Sequence, residues 1–171
     1  MALYMNLQFY IEKLHNSGEF KKFMQENPEA YLCSGFFVID KEKSDNQQHF
    51  DFYIPKSGQI FSFQMEKGIK KVALDRFDKK IPEKISLDYD FDFAEAENLI
   101  LMRMKREQIN KKIQKIMFSL LKIQGKDFIT GTIFISGLGM LKLNIEPVSM
   151  RITDFEKISF FDMMRVVKKG G

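Results

Sequence analysis

Apolar side chains recur along this chain with two periods, and the change from one to the other marks its elements. Leu3, Leu7, Tyr10 or Ile11, and Leu14 fall at helical spacing, which predicts an amphipathic helix ending at Asn16-Ser17-Gly18. A shorter run, EFKKFMQEN, sets Phe20, Phe23 and Met24 on one side before Pro28 stops it. The period then drops to two. Residues 31–40, YLCSGFFVID, are rich in aromatic and β-branched residues and read as a strand, with KEKSDNQQ as the loop after it. Phe50, Phe52 and Ile54 alternate in a second strand, PKSG supplies a tight turn, and residues 60–66 make a third. Val72 and Leu74, with Phe77 just beyond, close a first half that runs helix, then about four antiparallel strands.

A charged segment, DKKIPEKISLDYD, reads as a connector. Asp92 is placed to cap a helix, with Glu95 three residues on and Phe93, Ala96, Ile100 and Met104 as its apolar stripe. Strands follow near 114–123, 128–136, 140–146 and 149–155, with QGKD and SGLG as turns. The second half thus repeats the order of the first.

Register supports a duplicated unit. QIFSFQME at 59–66 and GMLKLNIE at 139–146 alternate alike, setting Phe61, Phe63 and Met65 against Leu141, Leu143 and Ile145. Upstream, Phe52 matches Ile133, and downstream Val72, Leu74 and Phe77 match Met150, Ile152 and Phe155 at a constant offset. The expected fold class is α+β, as two tandem helix-plus-antiparallel-sheet units at 1–80 and 81–171. Residues 116–123, IMFSLLKI, are apolar at both parities, so both faces of that strand need cover. Either the two sheets pack on each other, or an apolar surface is left for association.

A helix followed by a three- or four-stranded antiparallel sheet, with a turn glycine before an alternating strand ending in glutamate, resembles the PepSY-like domain family. The matching stretch runs from Leu87 to Ile152: FDFAEAENLILMRM stands for the family's helix, KIMFSLLKIQGK and ITGTIFIS for its hairpin, and MLKLNIE for its third strand. Glu146-Pro147-Val148-Ser149 replaces the family's closing aspartate and turn glycine, whereas the first half keeps Glu66 and Gly68 there. The resemblance implies binding or restraint of a peptidase or peptide, without assigning residues to it.

Composition narrows the chemistry. The chain has 171 residues, 44% of them apolar, enough for a packed core. Its 18 phenylalanines and 11 methionines read as core filler. Cys33 is the single cysteine, so no disulfide forms within the chain, and a reducing cytoplasm is the expected compartment. The start, MALYMNLQFYIEKL, is broken by polar residues too often for a secretory signal, and no apolar run is long enough to span a membrane.

Candidate sites are few. Asp88, Asp90 and Asp92 have the spacing that opens a calcium loop, but Phe93 and Leu99 stand where a glycine and a bidentate glutamate belong. His15 and His49 have no ligand or nucleophile at helical spacing, and SGLG joins two strands instead of opening a helix. Six cations, Arg103, Lys105, Arg106, Lys111, Lys112 and Lys115, gather within thirteen residues, and Lys168-Lys169 forms a second short run. The net charge of +4 is otherwise spread along the chain, and no nucleic-acid motif accompanies it.

These observations point to a non-catalytic cytoplasmic protein- or peptide-binding or adaptor module, with no catalytic residue, metal or cofactor. The expected partner is another protein or peptide, including a second copy of the chain, instead of nucleic acid or membrane. The candidate interaction residues are Met117, Leu121 and Ile123 with Arg103, Arg106, Lys111, Lys112 and Lys115. Alternatives are a binder of an anionic partner, nucleic acid or acidic protein, through the 103–115 cluster, and a small-ligand carrier with a cavity between helices and sheet.

Overall fold

A computed structural model of the chain describes residues 6–160, 162, 164 and 165. Leu3 and the Lys168-Lys169 run lie outside these residues. The described chain is a mixed α+β protein of three helices and eight strands.

Each helix begins where a side chain satisfies a backbone N–H that the first turn leaves unpaired. Asn6 accepts from Phe9 N at the head of α1 (Leu7–His15), and Ser17 accepts from Phe20 N at the head of α2 (Gly18–Glu26). Asp92 Oδ1 accepts from Glu95 N at 2.9 Å to open α3 (Phe93–Arg106). The apolar stripes are the buried faces: Leu7, Ile11 and Leu14 on α1, Phe20 and Phe23 on α2, and Phe93, Ala96, Ile100 and Met104 on α3.

The strands are β1 (Tyr31–Asp40), β2 (Gln47–Ile54), β3 (Gln59–Gln64), β4 (Lys70–Leu74), β5 (Ile113–Ile123), β6 (Lys126–Ile135), β7 (Gly139–Glu146) and β8 (Arg151–Ser159). They form one antiparallel sheet in the order β4-β3-β2-β1-β5-β6-β7-β8. Two four-stranded meanders therefore meet at their first strands instead of stacking face to face. The seam pairs Gly35 with Leu120 through to Asp40 with Lys115. It satisfies two rows of backbone groups that separate meanders would leave at open edges. Gly35 has little room for a side chain, since a Cβ there would stand 3.3 Å from the Phe37 ring and 3.4 Å from Leu120 Cβ.

A single buried cluster holds residues of all three helices and of strands on both sides of the seam. Phe20 and Phe23 of α2 pack on Phe52 and Phe63, while Phe93 of α3 meets Phe37 of β1 and Phe118 of β5. Phe63, Met65, Leu141, Leu143 and Ile145 are buried in this cluster, and Phe61 is partly buried against it. The opposite parity carries Ser34, Phe36, His49, Ser119, Thr130 and Thr132, and none of α1, α2 and α3 packs its apolar stripe there. Met117 and Leu121 stand in that second set, half-buried.

Candidate functional site

Residues 75–92 run from β4 to α3 and line a cleft on the helix-free face. Tyr31 and Tyr53 lie opposite one another on β1 and β2, their rings 5.5 Å apart, and the Arg76 guanidinium sits 5.3 Å above Tyr53. Arg76 is held by donating to Gly58 O and Lys80 O, and Tyr31 Oη donates to Pro82 O at 2.8 Å. The chain then passes between β1 and the β5–β6 hairpin: Ile85 N donates to Leu32 O at 2.9 Å and Gly125 N donates to Glu83 Oε1 at 2.9 Å. Ile85 and Phe91 enter the buried cluster on the helix side.

The segment encloses a cleft of about 540 Å³ between the connector and the ends of β1, β3 and β5. Cys33, Ile60, Leu121 and Ile123 line it from the sheet, and Phe77, Ile81 and Pro82 from the connector. Phe77 is fully exposed, Ile81 is 66% exposed and Ile123 is 50% exposed, which is unusual for three large apolar side chains around one opening. Asp75, Arg76, Asp78, Lys80, Glu83 and Lys122 add a rim of both charges.

Cys33 is the extra residue of a bulge, between the Leu32–Phe52 and Ser34–Asp51 pairs. Burial pushes its thiol up to about 12, and its Sγ–H donates to Asp51 O. It is therefore a protonated thiol and no nucleophile at neutral pH. His49 stands opposite Phe36 and Gln64 with Nε2 2.6 Å from Glu66 Oε1, and His15 stacks on Phe20. Neither imidazole adjoins Cys33 in the strand register. Among the described residues no group of three or more His, Cys, Asp or Glu side chains is placed to hold a metal ion. Beside Tyr10, Phe37 and Phe93, between α1, α3 and β1, there is a space of about 20 Å³, room for roughly one water.

The residues singled out from the sequence separate. Ile123 and Leu121 line the cleft, and Met117 stands further along β5 opposite Val38. Arg103 lies on α3, 4.8 Å from the Phe155 ring and 2.8 Å from Glu107 Oε1, and Lys115 Nζ is 3.7 Å from Asp40 Oδ2. Arg106 is exposed at the end of α3, and Lys111 and Lys112 are exposed beside the β6–β7 turn. The six cations are thus spread over a helix end, a loop and a strand. The cleft residues Arg76, Phe77 and Ile81 were not legible as a site. Phe77 reads with the alternation that closes the first half, and Ile81 is one apolar side chain in a charged connector that follows neither period.

Fold and site together define an α+β protein with a helix layer on one face of its sheet and a connector-built apolar cleft on the other. It is similar in fold to the crystal structure of a "putative lipoprotein" from Clostridium difficile 630, with a TM-score of 0.54 and 12% identity, over 82% of this chain and 90% of that one. No family model and no curated protein matches the sequence. No helix among the described residues is long and apolar enough to cross a membrane.

Proposed function

We propose that this chain is a non-catalytic protein- or peptide-binding module, built as two tandem helix-plus-meander units at 1–80 and 81–171. The observation that carries the reading is the cleft under residues 75–83, where Phe77, Ile81 and Ile123 are exposed around an apolar floor. A cleft of this kind suits an extended segment that inserts one or two apolar side chains while its backbone bonds to the polar rim. The protonated Cys33 thiol and the separation of both histidines from it favour binding over nucleophilic chemistry. The resemblance to PepSY-like domains points the same way, toward a peptide or a peptidase as partner. The cytoplasm suits the unpaired thiol.

The test is quantitative affinity capture from native lysate by the parent chain and by an Ile81→Asp/Ile123→Asp variant. Both positions are exposed, so the variant should keep the parent's thermal midpoint. Proteins held by the parent and released by the variant support the reading. An unchanged set of captured proteins contradicts it.

A further inference from the structure

The end of the sheet away from the cleft carries a second surface. Strand pairing sets Phe134, Met140 and Ile158 side by side across β6, β7 and β8 on the helix-free face. Phe160 N donates to Leu138 O at 3.0 Å, which brings the tip of the β6–β7 turn beside that row. Leu138 is 72% exposed, Phe160 42% and Phe134 36%. They form an exposed apolar corner at this end of the sheet.

Its rim is basic. Lys112 N donates to Ser136 Oγ and Ser136 N donates to Lys112 O, and Lys111 Nζ lies 3.6 Å from where a Cβ on Gly137 would be. Both lysines therefore flank the turn that carries Leu138. Lys43 and Lys115 share a recess with Phe134 on the other side, where Asp40 and Glu42 offset them. Lys142 stands opposite Glu156, and Asp162 accepts from Ser159. No carboxylate among the described residues is in ion-pair contact with Lys111, Lys112 or, at the end of α3, Lys105 and Arg106.

We propose that this corner seats on an anionic lipid surface, with Leu138 and its neighbours entering the headgroup boundary and Lys111 and Lys112 meeting the phosphates. A peripheral contact needs no spanning helix. Exposed apolar groups flanked by lysine match what an anionic bilayer offers, apolar depth beneath negative charge. A second copy of the chain would set lysine against lysine. A nucleic acid would gain from the lysines and from a ring such as Phe134 or Phe160, but nothing from Leu138, the most exposed of the three. The corner lies at the opposite strand ends from the cleft, so the inference does not rest on the peptide-binding reading.

Co-sedimentation of the full chain with vesicles tests it, using pure phosphatidylcholine and phosphatidylcholine mixed with phosphatidylserine. The expected result is sedimentation with the phosphatidylserine vesicles alone. Leu138→Asp and Lys111→Glu/Lys112→Glu should each weaken it by about tenfold or more. Leu138 has a φ of 59°, a conformation aspartate accepts more readily than leucine, so that variant should keep the parent's melting curve. Absence of sedimentation with either vesicle, equal sedimentation with both, or unchanged binding by Leu138→Asp overturns the proposal. Retention of single-stranded oligothymidine by the parent without vesicle binding would assign the corner to nucleic acid instead.

Discussion

Asp40 shows how one side chain fixes a corner of the fold. It closes β1, and its Oδ1 accepts from Lys43 N and Glu42 N at 2.9 Å each, while Lys115 lies across the seam. The Lys43 N–H first, then the Glu42 N–H and the lysine charges, hold its carboxyl below the usual value of 3.8 against the opposing effect of burial. A carboxylate whose pKa falls on folding stabilises the fold above its unfolded value and loses that contribution as pH falls through the folded one. Asp40→Asn should therefore be less stable than the parent near neutrality, with the difference shrinking as pH falls below 3.8 and through the lower folded value, checked by denaturant unfolding along that pH series. Tyr89 poses the reverse case. Its hydroxyl is buried beside the Asp127 carboxylate without a hydrogen bond of ordinary geometry, and burial, then the Asp127 charge, raises its pKa. Tyr89→Phe should leave stability unchanged or raise it by about 1 kcal/mol in denaturant unfolding. Neither environment could be read from the chain, because both depend on residues at least 38 positions apart or on loop backbone.

At the scale of elements, period and capping chemistry were largely sufficient. The strand from Tyr31 to Asp40 and the helix opened by Asp92 fall where the apolar pattern and cap place them, since each depends on neighbours within four residues. Asp92→Ala should cost about 1 kcal/mol in thermal or denaturant unfolding, and Asp92→Asn much less. Turns were less legible. Leu87, Gln124, Leu138 and Met150 take positive φ, which their side chains do not announce, and the tertiary frame imposes it. Gly139 is constrained differently: a Cβ there would lie 2.9 Å from Ile135, so Gly139→Val should destabilise the β6–β7 hairpin by about 1–3 kcal/mol.

For the whole molecule, the pattern left one decision open. IMFSLLKI is apolar on both parities, a sign that its second face is covered or used in association, but it does not say by what. The two meanders join laterally, β5 pairing with β1: Ile116, Phe118 and Leu120 enter the helix-side core, and Met117 and Leu121 stay half-buried on the other face. Register between strands some eighty residues apart has no local signal, and neither has the path of the connector that builds the cleft. Phe118, fully buried at the seam between Phe91 and Phe93, should cost about 3–5 kcal/mol when changed to alanine, read by denaturant unfolding. We propose that the face opposite the helices takes a partner through the connector cleft. Hydroxyl-radical footprinting of the chain, free and in its captured complex, tests this most directly. Phe77, Ile81 and Ile123 should react in the free chain and be protected in the complex; protection of Leu101 and Met102 on the outer side of α3, with the cleft still reactive, would contradict it.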